Sequence, residues 1–550
     1  MTSETDTQIG EDETQTDEDE TQTELSTAVD DSQTRFSRAE LAADARTLVE
    51  RIEAIHPDPY VGYDGRVDLH RTLEETVREL PETATAEEFY RIAAPLVTGL
   101  EDVHSKLLSP THSGETDRRL PLSFRVVGDA LYVDAVYENG LTDVLGARLE
   151  SVVDVDLESL TERAVALRGA ENRSGALSNC ARMLEEYDPI ARLVDRPEPP
   201  ADLSIGVSID GTATTRTLES VPESREPVLT LESSIPQPEG TGPRYRCYDG
   251  GRAAVFVPGD LLGFREAIDA ANARGAGYAE EFAREAYRTH VGDDPPEELE
   301  ALVDALPSMV ETICELVREL RAAETDVLFV DLRDNRGGDS RFVFHLVYAL
   351  WGWDGIVDLA RATTAYKRRT PQHRDHYGLP EHAADEYSTF EDNPADYDFG
   401  PAFRMREATP DDVREQFATM LTSEAFRAEL ESEAHEGYYC PDRVIAVTTA
   451  RTMSSAFAGV AQLSDLGAEV VGVPSGQAPI SFGEAVETAL PATELTAKIA
   501  GSMYAWVAQP DGDTLSMDRE LTPELFEQYD RAADAPLRLA FDYADVTPSK

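Results

Sequence analysis

The chain has 550 residues, with 107 Asp and Glu against 49 Lys and Arg, and a formal net charge of −58. That length leaves room for several buried cores, and the charge excludes a nucleic-acid partner, whose phosphates such a surface would repel. Arginine supplies 45 of the basic residues and lysine only 4, a balance expected of a halophile's cytoplasmic protein, because concentrated salt screens the self-repulsion.

Residues 1–34 are rich in Thr, Gln, Asp and Glu, and the first aromatic residue is Phe36. With so little apolar surface to bury, this stretch is predicted to be a disordered acidic tail. It has no basic n-region and no apolar h-region, and no later run approaches the length of a membrane span, so neither ordinary secretion nor a membrane partner is expected. From Phe36 to Val103 apolar residues recur at helical spacing, through Leu41, Leu48, Ile52 and Ile55, then Leu69, Leu73 and Val77, then Phe89, Ile92 and Leu96. His56 stands between a helix end and a proline-rich turn and reads as structural. From Leu120 to about Val221 the pattern is strand-rich, interrupted by a helix carrying Leu157, Leu160 and Leu167. Cys180, Cys247, Cys314 and Cys440 are widely spaced, which points to reduced thiols and to neither a disulfide framework nor a zinc site.

Ala253 to Val257 reads as a strand, and residues 262–323 as helices broken by an acidic loop. A buried strand follows from Val327 to Asp331. A polar turn ending in Gly337-Gly338 leads into a helix with Phe342, Leu346 and Leu350. Residues 355–437 are polar and rich in His, Tyr and Asp, an insertion or cap over a site; His373, His376 and His382 within it read as surface residues and not as metal ligands. Val444 to Val447 is again a strand, a small-residue turn runs to Met453, and a helix begins at Ser454-Ser455 with Phe457, Val460 and Leu463 on one face. The strand Glu469 to Val473 closes the unit. Ser454 sits where free N–H groups and the helix dipole can stabilise an oxyanion, although the same position suits a plain N-cap. Strand, turn, helix and strand predict an α/β fold with the Val327, Val444 and Val470 strands as neighbours in one sheet.

Two motifs in this order carry a resemblance. Asp331-Leu-Arg-Asp-Asn-Arg-Gly-Gly338 and Thr452-Met-Ser-Ser-Ala-Phe-Ala458 resemble the hallmarks of the tail-specific, or carboxy-terminal-processing, serine peptidases and their tricorn-core relatives. The resemblance implies a crotonase-like ββα catalytic core over residues 223–545, behind an N-terminal helical region (35–113) and a degenerate PDZ-like domain (114–222), where Gly146-Ala-Arg-Leu-Glu-Ser-Val152 fits loosely. It implies Ser454 as nucleophile, and a Gly337 or Gly338 amide with the Ser455 amide as oxyanion hole. Members with a Ser–Lys dyad carry the lysine in the loop that here runs from Gly472 to Pro479, and this loop has none. Lysine-free branches carry a catalytic histidine in a short Asp-x-His-Ser/Thr motif, which Asp102-Val-His-Ser105 matches, so His104 is the expected base. A third, acidic member would lie near the closing element; Asp518 is preferred there over Glu520 and Asp513. The implied function is a serine-type endopeptidase acting on peptides or on unfolded or C-terminal protein segments, with no metal or organic cofactor. The alternatives are an inactive peptide-binding protein on the same fold and a different hydrolase or acyl-transfer enzyme.

Overall fold

The computed structural model describes residues 34–110, 118–196, 198–200, 202–273, 278–368, 397–399, 409–420, 438–507 and 512–548. The acidic tail, His112, His435, the three histidines 373, 376 and 382, and most of the expected insertion lie outside the described residues.

A six-stranded sheet organises the C-terminal part of a mixed α/β fold. Ala253–Val257, Val327–Asp331, Arg443–Thr448 and Glu469–Gly472 are consecutive parallel neighbours. Arg244–Tyr248 flanks them antiparallel at one edge, and Arg519–Glu520 parallel at the other. The Val327, Val444 and Val470 strands therefore lie side by side, as the crossover pattern predicts. These strands are apolar on both faces because both faces are covered. Phe329, Ile445 and Val447 pack with Phe541 of the helix Ala535–Tyr543, the Phe329 and Phe541 rings stacking at 4.6 Å. Leu328, Val330 and Ala446, one residue out of step, pack with Val317, Phe342 and Phe457 from the helices Met309–Ala323, Arg341–Ala362 and Ser455–Asp465.

Arg341–Ala362 is long and apolar enough to cross a membrane by length and composition alone, contrary to the expectation that no run approaches that length. Its most apolar window is 78 % buried inside the fold, and a helix apolar on all sides is what a position between the sheet and other helices requires. Residues 355–362 of the expected insertion complete this helix, Thr364–Arg368 joins a second sheet, and Phe417 packs edge-on against Phe344 at 5.3 Å.

Two connections tie the N-terminal half to the second sheet. Lys106–Leu107 pairs antiparallel with Thr496–Ala505 in the second sheet, which fixes the segment holding His104. The buried Asp44 carboxylate, on the helix Arg38–Ile55, accepts from the Ala492 and Thr493 amides and the Thr493 hydroxyl at 3.0, 2.8 and 2.7 Å. A third, seven-stranded sheet holds Leu122–Val127, Ala130–Val136, Arg148–Val152 and Leu203–Ile209 among its strands, beside the helices Leu157–Leu167 and Arg173–Glu185. Asn172 caps the second of these helices through Gly175 N–H. It also donates to the carbonyls of Ser475, Gln477 and Asp513 at 3.0–3.2 Å, clamping the loop that follows Glu469–Gly472.

One pair fixes the turn that leads to the glycines. Asp331 and Arg333 form a two-point ion pair at 2.8 and 2.6 Å, with side chains only 5 % and 13 % exposed. Arg333→Met would leave the Asp331 carboxylate buried without its counter-charge, a loss on the order of 3–5 kcal/mol. A clear drop in melting temperature is expected, and an unchanged melt would show that the pair contributes nothing.

Candidate active site

Ser454 sits at the N-terminal end of the helix Ser455–Asp465 with φ 53° and ψ −125°, a backbone conformation that L-residues rarely adopt. Its side chain makes no capping hydrogen bond, so the plain N-cap role is not the one it plays. A strained serine between strand and helix, its hydroxyl left out of the cap, is how nucleophile turns present an oxygen.

The surroundings fix that turn from both sides. Asn335 accepts from Gly337 N–H at 3.0 Å, donates to Gly259 C=O at 2.8 Å, and receives Met453 N–H on its own carbonyl at 2.9 Å. Gly337, at φ 92°, lies so close that a Cβ there would be 2.6 Å from Ser454 Cβ and 2.7 Å from Ser455 N. Ser455 Oγ donates to Gly338 C=O at 2.6 Å. The Gly337 amide is thus engaged by Asn335, and the Ser454 amide donates to Gln477 Oε1. Ser455 N–H, in the first helical turn, has no intrahelical acceptor.

Ser454 and His104 line two cavities in common, of about 570 and 970 Å³, and the larger one also exposes Gly338, Ser455 and Gln477. The 350 residues between them in sequence are closed by the pairing of Lys106–Leu107 with the second sheet. His104 Nδ1 is buried without a hydrogen-bond partner among the described residues and stands 3.9 Å from Asp102 Oδ1. Asp102 is fully buried, and its Oδ1 already accepts His104 N–H at 2.8 Å. Behind it, Asp58 N–H donates to His56 Nδ1 at 3.2 Å, which leaves the proton on Nε2 to face Asp102 Oδ2 at 3.3 Å. Burial raises the Asp102 pKa, but the His56 hydrogen bond and the electrostatic pull of the His56 and His104 rings bring it below the usual range. Asp102 is accordingly a carboxylate. Burial lowers the His104 pKa, the Asp102 charge raises it, Lys106 lowers it again, and the net shift is downward. A neutral imidazole backed by a carboxylate, opening on the cavity of a strained serine, can take the hydroxyl proton.

The acid expected from the sequence is elsewhere. Asp518 is exposed, and its carboxylate accepts Val470 N–H at 2.8 Å at the start of a strand whose far end carries the site loop. Glu520 and Asp513 are exposed too. The acid beside His104 is Asp102, inside the motif that singled out the histidine. Glu171 is a second buried carboxylate there: its Oε2 accepts Ala478 N–H at 2.8 Å and its Oε1 Val103 N–H at 3.5 Å, while burial and the Asp102 charge push its pKa well up. Asp102, His104 and Glu171 hold ligand-type atoms within 4.8 Å of one another, but the carboxylate oxygens are already engaged by N–H groups, which reads as a proton network. The loop searched for a lysine holds Gln477, which ties the Ser454 amide. A lysine from another segment does reach the site: Lys106 lines the smaller cavity with Ser454 and His104.

No family model and no curated protein matches the chain. Among solved structures, mature CPAF aligns over 92 % of this chain and 96 % of its own at 13 % identity, with a TM-score of 0.53. The complex of mature CPAF with lactacystin aligns equally well, over 97 % of its length. The structural neighbours also include the photosystem II D1 C-terminal processing protease, at 12 % identity and a TM-score of 0.38. At such identity the likeness to CPAF speaks for the fold, which the chain shares nearly end to end.

Proposed function

We propose that the chain is a serine-type endopeptidase that hydrolyses peptides, or unfolded and C-terminal protein segments, through an acyl-enzyme. In this reading the sheet of Val327, Val444 and Val470 is a crotonase-like catalytic core and the seven-stranded sheet a degenerate PDZ-like module. Ser454 attacks the carbonyl, and His104 takes its proton and returns it to the leaving amine. Asp102 orients His104 and stabilises the imidazolium, and the Gly338 and Ser455 amides receive the oxyanion. The observation that carries the reading is the strained, uncapped Ser454 sharing its cavities with His104, itself backed by buried Asp102. The resemblance of the two motifs to tail-specific peptidases and the CPAF-like fold support it. Casein or a peptide library incubated at molar salt tests it, with Ser454→Ala as control. Cleavage that disappears in the variant is expected, whereas binding without cleavage would favour a peptide-binding protein on the same fold.

A further inference from the structure

The smaller cavity beside Ser454 has a charge opposite to that of the chain around it. Six cations line it, Lys106, Arg168, Arg182, Arg192, Arg336 and Arg451, against two acids, Glu186 and Asp188. Across the whole chain acids outnumber bases 107 to 49, so the cluster does not follow from composition. Four of the cations have carboxylate partners: Arg168 and Arg182 share Glu186, Arg192 holds Glu87, and Arg451 holds Glu185. The side chains of Lys106 and Arg336 have no ion pair or hydrogen bond among the described residues. Both have lowered pKa values, first through burial and then through neighbouring cations, Arg182 for Lys106 and Arg451 for Arg336, partly offset by Asp102 for the first and by Glu185 and Asp334 for the second. Lys106 is half-buried and Arg336 exposed, and unpaired cations held beside other cations favour an anion brought between them.

Resting on the peptidase reading, we infer that this cavity binds a carboxylate carried by the peptide substrate, with Lys106 and Arg336 as its ligands, and so selects acidic residues or a free C-terminus near the scissile bond. The cavity, about 570 Å³, reaches Ser454 itself, so a group held there lies within a residue or two of the attacked carbonyl. A peptide is the favoured bearer because the opening is shared with the serine turn. The half-buried Lys106 is shielded from salt more than an exposed cation is.

The test uses the full-length enzyme and peptides of one cleavable sequence, with Glu or Gln scanned through each position and the C-terminus free or amidated. The readout is the ratio of kcat/KM between carboxylate and amide partners, which does not depend on the fraction of folded enzyme. A ratio on the order of 10- to 100-fold is expected at one position, from charge-assisted hydrogen bonds. It should fall toward 1 in Arg336→Gln and in Lys106→Met. The position that responds distinguishes a side-chain carboxylate from the C-terminal one. A ratio near 1 in the wild type, or one unchanged in both variants, would overturn the inference. If the wild type cleaves none of these peptides, the peptidase reading fails by itself. Fluorescence anisotropy with the same peptides, dye-labelled, then decides the inference by the same ratio, read in Kd.

Discussion

His104→Ala is expected to lower kcat/KM by ~10⁴-fold or more, the usual loss when the base of a serine hydrolase triad is removed. His104 opens on the same two cavities as Ser454, and its orphaned Nδ1 needs to move only about 1 Å to bond Asp102, a closure typical of sites without substrate. The pH dependence follows from the downward shift. A histidine whose pKa is depressed stays neutral, and active as a base, to lower pH than usual. Activity should therefore fall as pH drops through a value below imidazole's ordinary ~6.5. The competing base is Lys106, which lines the smaller cavity with a lowered pKa of its own. If Lys106→Met abolished turnover of every peptide while His104→Ala did not, the site would be a rearranged Ser–Lys dyad.

Asp102→Asn is the second large effect, also expected near ~10⁴-fold, because a neutral amide can neither hold the imidazole in the required tautomer nor stabilise its cation. Loss of activity alone would not separate positioning from damage, since Asp102 is buried among His56, His104 and Glu171. The pH profile separates them. The Asp102 charge raises the His104 pKa, so removing it should move the acid limb of the residual activity further down. A limb that stays in place, with activity lost only in proportion to unfolded protein, would make Asp102 structural.

The comparison with the sequence follows from where each interaction is made. The Val327, Val444 and Val470 strands were legible because a buried strand shows as a short apolar run, and the serine and glycine turns because small residues mark close backbone approach. His104 was reachable through its local motif. Asp102 stood two residues away and was passed over, since its isolation with His56 and Glu171 arises from packing between segments far apart in the chain. In a chain with 107 acidic residues, no carboxylate near the closing element could be told from a solvated one, and Asp518 proved to be exposed. Gln477 carries no sequence signal, because its tie to the Ser454 amide is made between loops 23 residues apart. The cationic cavity had no sequence signal, because Lys106, Arg336 and Arg451 come from three separate segments and converge only in the fold.

Labelling with a fluorophosphonate, read by mass spectrometry of the modified peptide, tests most directly the claim that Ser454 is a nucleophile activated by His104. The reagent reports an activated serine without requiring the natural substrate. The expected result at molar salt is one adduct, on Ser454, absent in Ser454→Ala and formed orders of magnitude more slowly in His104→Ala. Folded protein that takes up no label, or an adduct on another serine, would contradict the account.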